Sequence, residues 1–138
     1  MYAQDIRILA EQYEEVEYLG VISASDAAAL VAEHWWALLP IDDEVTRYAF
    51  PSKSSGYALA GAAVAAICGD ETSVARWVKR EGVGLVCPPH KSALVRFFSE
   101  LEDICIEKFG ASDQLKKRLA ISSFSASLRE VADKLSSA

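Results

Sequence analysis

The sequence predicts an all-α fold, a single domain spanning residues 1–138 that forms a bundle of six or seven helices. Two observations support this prediction. Apolar residues recur at three- and four-residue steps along most of the chain, and typical helix-capping residues precede these periodic segments. A third observation sets the centre of the bundle, because the twelve residues YALAGAAVAAIC carry no charge and consist mostly of alanine and glycine. We therefore expect a central apolar helix at about residues 54–68.

The first fifty residues indicate three helices. An amphipathic pattern through Ile6, Leu9 and Tyr13 predicts a first helix that stops near Gly20. The stretch from Ser23 to Asp26 resembles a capping box and opens a second helix, ended by Pro40. A short third helix follows, from Asp42 to about Phe50, because acidic residues favour a helix start.

The central segment is expected to be a buried helix. Ser52 or Ser54 would cap it, and Gly69 would supply its left-handed end. Small side chains on all sides would let neighbouring helices approach closely. A membrane span is not expected, since twelve apolar residues fall short of the ~18–20 that a transmembrane helix requires.

The remaining elements follow from caps and prolines. Asp70 or Thr72 would cap a helix that reaches Gly82, and residues 83–89 are expected to be an extended connector or one short strand. A long helix would start at Pro89 and end before Gly110. Ser112 would cap the last region, and the serines within it leave both one helix and two helices open. Its apolar residues predict one packing seam, formed by Ile121, Phe124, Leu128, Val131 and Leu135.

The charge is concentrated at the N-terminal end. Residues 1–50 hold ten acidic and two basic residues, whereas the whole chain has a net charge of −6. This distribution disfavours general nucleic-acid binding, which needs clustered cations, and it suits a partner protein with a basic surface. Trp36 is expected on the acidic face of the second helix, with Trp35 facing the core. The predicted partner-binding residues are Glu11, Glu14, Glu15, Glu17, Asp26, Glu33, Trp36, Asp42, Asp43 and Glu44.

The predicted function is that of a small acidic protein-binding module in the cytoplasm, which acts by occluding or holding its partner. In size and charge the chain resembles toxin-immunity proteins, enzyme inhibitors and secretion chaperones, and this resemblance is one of composition only. No enzymatic activity is expected, because the sequence has no phosphate-binding glycine loop, no H-E-x-x-H and no G-x-S-x-G. The cytoplasmic location rests on an odd number of cysteines without a secretory signal.

Two alternatives remain open. The first is a small-ligand-binding or zinc-binding helical domain that uses the loop from Cys87 to His90. The residue set that could form a zinc site is Cys68, Cys87, His90 and Cys105. No metal or other cofactor is expected, since two of these ligands are isolated in the sequence. The second is a homo-oligomeric structural protein, such as a homodimer, in which the acidic N-terminal helix meets Arg76, Lys79 and Arg80 of another copy.

Overall fold

The computed structural model describes residues 2–101, 103–104 and 109–136 and has a mixed α/β architecture. Three strands lie within these residues, β1 (Trp36–Pro40), β2 (Ala63–Ile67) and β3 (Gly84–Cys87). The helices within them are α1 (Tyr2–Gln12), α2 (Ala24–Ala32), α3 (Ser52–Ala60), α4 (Ser73–Glu81), α5 (Lys91–Leu101), α6 (Asp113–Leu119) and α7 (Ile121–Ser136), with one 3₁₀ turn at Val45–Arg47.

The prediction of an all-α bundle is therefore wrong. The strands form one parallel sheet in the order β1-β2-β3, and the register aligns Trp36 with Ala63 and Val64 with Gly84. Helix α3 connects β1 to β2, and α4 connects β2 to β3. Both helices pack against the same face of the sheet, since Ala58 of α3 and Val74 of α4 belong to one buried cluster with Val64 of β2.

The predicted central helix at about residues 54–68 is two elements in the structure. Helix α3 ends at Gly61, which has a left-handed φ of +97°, and β2 begins two residues later. All five residues of β2 are buried, so the strand is apolar on both faces, as expected for the middle strand of a parallel sheet. A short apolar run of this kind fits a buried helix and a buried strand equally well by periodicity.

A second part of the prediction that is wrong is the segment from Glu33 to Pro40, which was expected to be helical. Helix α2 ends at Ala32 instead of Pro40, and the next residues form β1. Alternate residues of β1 are buried, with Ala37 and Leu39 facing the core and Leu38 exposed. Trp35, expected in the core, is 74% exposed because it precedes this strand instead of lying on a helix.

Several local predictions are confirmed. The Thr72 hydroxyl accepts a hydrogen bond from the Ala75 N–H, and α4 ends at Gly82 with φ +64°. Ser23 and Ser112 cap α2 and α6 in the same way. Residues 113–136 form two helices, separated at Ala120, although the side chains of Ile121, Phe124, Val131 and Leu135 lie outside the described part of the structure.

The core lies between the sheet and the helices α3, α4 and α6. Val64 and Ala66 of β2 pack there with Val74 and Val78 of α4 and with Leu115 of α6. The Glu81 carboxylate, at the end of α4, forms ion pairs with Arg80 and Arg118 and so ties α6 to α4. Burial of the Glu81 side chain opposes its ionisation, but hydrogen bonds from the two arginines outweigh this effect and lower its pKa. No helix within the described residues is long and apolar enough to cross a membrane.

Candidate functional site

The polar loops that follow β1 and β2 meet at the carboxyl end of the sheet. In a parallel sheet all strands end at the same edge, so loops far apart in sequence become neighbours there. The Asp43 carboxylate, three residues after β1, accepts a hydrogen bond of 2.8 Å from the Gly69 N–H, two residues after β2. An added Cβ at Gly69 would clash with the same carboxylate, so a side chain at this position would displace the Asp43 side chain from the hydrogen bond.

Hydroxyl groups hold the two loops in place. The Thr46 hydroxyl donates to the Asp43 carbonyl at 2.7 Å, and the Ser73 hydroxyl donates to the Thr46 carbonyl at 3.1 Å. Thr46 is itself buried. The Thr72 side chain caps α4, and its hydroxyl lies 2.8 Å from the Gly69 carbonyl oxygen. These bonds fix the backbone of both loops to the start of α4.

The loops enclose a crevice of about 560 Å³. It is lined by Asp43, Thr46, Gly69, Asp70, Glu71, Thr72, Ser73 and Arg76. The start of α4 contributes the partial positive charge of a helix N-terminus, and Arg76 adds a full positive charge one turn further on. Asp70 and Glu71 add exposed carboxylates, of which Asp70 pairs with Lys79 at 2.8 Å. The crevice lining therefore combines one arginine and several hydroxyl groups with three carboxylates, those of Asp43, Asp70 and Glu71.

The predicted acidic residues do not form one continuous surface. Glu33 precedes β1 and Asp42 follows it, so the two lie at opposite ends of a strand about 16 Å long. Asp42, Asp43 and Glu44 belong to the carboxyl edge of the sheet. Asp26 accepts a hydrogen bond from the Ser23 hydroxyl at the start of α2.

The other acidic residues lie near the N-terminus. Glu11 is in α1, and Glu14, Glu15 and Glu17 are exposed residues in the segment that follows this helix. Trp36 is half-buried, and its ring packs against the Phe109 ring at a centroid distance of 5.6 Å. Trp36 is therefore engaged with its own chain, whereas its neighbour Trp35 is the exposed tryptophan of this pair.

The three candidate zinc ligands that the structure describes, Cys68, Cys87 and His90, do not converge on one site. The Cys68 side chain belongs to the core cluster, where the Thr72 hydroxyl donates to its sulfur at 3.3 Å. Cys87 lines a different cavity beside Arg96 and Phe97, and His90 is exposed. Burial raises the pKa of both buried thiols. Cys105 lies outside the described residues, which hold no group of three or more histidine, cysteine or acidic side chains suited to a metal ion.

Sequence reasoning missed the crevice because it assigned no strands on either side of it. Asp43 was selected for its charge alone and Arg76 only for a contact between copies, and Thr46, Glu71 and Ser73 were assigned to no site. The available signal was that polar loops directly follow two short apolar runs, WALLP and AVAAI. No family model, no curated protein and no solved structure matches the chain.

Proposed function

We propose that this chain binds a small polar ligand, of the size and chemistry of a nucleotide, in the crevice at the carboxyl ends of β1 and β2. The observation that carries the proposal is the position of the crevice. Open parallel sheets bind their ligands outside the carboxyl ends of the strands, usually where the strand order reverses. The order β1-β2-β3 has no such reversal, so the support here comes from the carboxyl-end position alone. This support comes from architecture and is an argument by analogy.

Size and chemistry also support this ligand class. A volume of about 560 Å³ falls within the roughly 300–1,000 Å³ of typical small-molecule sites. A phosphate group would interact with the start of α4 and with Arg76. Ribose hydroxyls would donate hydrogen bonds to the carboxylates of Glu71 or Asp70, since a carboxylate accepts hydrogen bonds only.

The test is ligand binding by titration calorimetry, with nucleosides, nucleoside monophosphates, nucleoside diphosphates and inorganic phosphate as the panel. At least one nucleotide is expected to bind, and Arg76→Ala should weaken its binding by about 10- to 100-fold, the effect of losing one hydrogen bond to a charged group. Arg96→Ala is the matched control, because Arg96 lies on α5 beside the Cys87 cavity. Absence of binding across the panel would refute the proposal, and so would an equal loss in both variants.

The acidic protein-binding module is a second candidate. The observation in its favour is the exposure of Glu11, Glu14, Glu15 and Glu17 close to each other in the sequence. These carboxylates would steer a basic partner at a rate that falls with salt concentration. A pull-down at low salt with Glu14→Lys/Glu15→Lys beside wild type tests this function. A captured basic protein should be lost in the variant, and equal capture by both proteins would count against the acidic surface.

Under both candidates the chain acts by binding, and the absence of enzymatic activity stays a prediction. A cytoplasmic location is likewise part of the proposal. A reduced compartment would suit the buried free thiols of Cys68 and Cys87.

A further inference from the structure

No described residue pairs with the backbone at the outer edge of β1. Trp35 accepts a hydrogen bond from the Ala63 N–H, and the Ile41 N–H donates to the Ile67 carbonyl. Because alternate residues of a strand face the same neighbour, Trp35, Ala37, Leu39 and Ile41 face β2. Trp36, Leu38 and Pro40 therefore direct their backbone groups away from the sheet. Such an edge is a template for pairing with another strand, and Pro40 alone lacks an N–H there.

A groove beside this edge is open and apolar. Leu30 and Val31 of α2 line it together with Trp36, Ala37 and Leu38 of β1, and its volume is about 220 Å³. It continues into a larger groove of about 480 Å³ between α2 and α3, which shares Leu30, Val31 and Tyr57 with the first. Helix α2 thus borders the space next to the outer edge of β1. An extended apolar segment would fit between α2 and this edge.

The chain contains a segment with the matching properties. Residues 16–22, VEYLGVI, have no regular secondary structure and are mostly apolar, with Val21 fully exposed and Leu19 45% exposed. Valine, isoleucine and tyrosine favour strands. Gly20 has φ +72° here, and a glycine can adopt β geometry without a steric penalty.

We propose that two copies of this chain exchange these segments, so that residues 16–22 of each copy pair with the outer edge of β1 in the other. The exchange would give a two-fold symmetric dimer in which each copy supplies one segment and one groove. Within one copy, the Arg7 guanidinium lies over the Tyr18 ring at 5.0 Å, so the middle of this segment contacts α1, whereas Ile22 at its end lines the larger groove. Charge is complementary as well, since Lys53 lines the larger groove and Glu17 belongs to the segment.

The first test is the mass of the wild-type protein by sedimentation velocity over a concentration series. A dimer is expected, and Leu38→Lys and Val21→Asp should each raise its dissociation constant by at least about tenfold, because each places a charge in the paired region. Val95→Lys is the matched control, since Val95 is 61% exposed on α5. A wild-type monomer at every concentration would overturn the proposal, as would a dimer that neither variant weakens.

Disulfide trapping identifies the pairing partner independently of stability. Copies with Leu38→Cys are mixed with copies carrying Val21→Cys and oxidised. Exchange predicts a cross-linked dimer in the mixture that neither variant gives alone. A chain carrying both substitutions that closes on itself as a monomer would show instead that the segment pairs with its own β1.

Discussion

Replacing Gly84, the glycine at the start of β3, with alanine should destabilise the fold. Gly84 lies in β3 directly opposite Val64 of β2. A Cβ added at Gly84 would lie 2.6 Å from the Val64 nitrogen and 2.7 Å from its carbonyl carbon, and closer still to its carbonyl oxygen. These neighbours are backbone atoms, which cannot turn aside as a side chain does. The two strands would therefore have to separate locally.

The cost can be estimated from this geometry. Ordinary carbon contacts are roughly 3.5–4.0 Å, so the backbone must move by about an ångström. Insertion of one extra carbon into a packed core typically costs 1–3 kcal/mol, and this site belongs at the upper end because β2 is buried on both faces. Alanine restricts the unfolded chain, which returns about 0.5 kcal/mol. A net loss of about 2–3 kcal/mol would lower the melting temperature of a chain of this size by roughly 8–12 °C.

The assay is thermal unfolding followed by circular dichroism, with urea unfolding at 25 °C as the second measurement. Gly56→Ala is the control, because Gly56 lies inside α3 with nothing within 4 Å of an added Cβ. That change should stabilise the protein by about 0.5–1 kcal/mol. If Gly84→Ala melts within about 2 °C of wild type, the register between β2 and β3 described above is wrong.

Three further predictions concern other parts of the molecule. Glu81→Gln should cost about 1 kcal/mol at pH 7 by weakening the ion pair with Arg118; since the folded pKa of Glu81 is lowered, this contribution is complete above the usual pKa of about 4.3 and is lost as pH falls through the folded value, so the difference between variant and wild type in urea unfolding should shrink steadily as the pH is lowered from neutral into the acid range. Cys68 and Cys87 should react with a thiol reagent only as fast as the protein opens, because both are buried with raised pKa values; mass spectrometry of the labelled native protein checks this, and rapid labelling at neutral pH would contradict the described burial. Gly61→Ala should cost about 1–2 kcal/mol in urea unfolding, the penalty of a left-handed alanine; an unchanged midpoint would indicate that α3 does not end at Gly61.

Local signals in the sequence were sufficient for the starts of α2, α4 and α6 and for the end of α4. Ser23, Thr72 and Ser112 were predicted as caps and act as caps, and Gly82 ends α4 as expected. These interactions join residues three or four positions apart, so the information is contained in a short stretch of sequence. Residues 113–136 do form two helices, but the break lies at Ala120, ahead of the serines that suggested it, which fall inside α7.

The strands depend on partners that are distant in the sequence. Alanine favours helices, so Ala63–Ile67 reads as helix until β1 and β3 are known to flank it. The prediction for Trp36–Pro40 was wrong for the same reason, because pairing with residues 63–67 decides the conformation of this segment. The candidate site could not be predicted either. Its residues meet only at the edge of a sheet that periodicity alone did not reveal.

The short sequence separation between paired strands has a consequence for folding kinetics. Paired residues of β1 and β2 are 27 positions apart, and those of β2 and β3 are 20 apart. Each contact therefore closes a short loop, which favours rapid formation of the segment from Trp36 to Cys87. Because β2 lies in the middle and is buried on both faces, its amides should be the last to exchange with deuterated solvent. Amides of α1 should exchange first, since all of its apolar residues except Ala10 are exposed among those whose side chains are described.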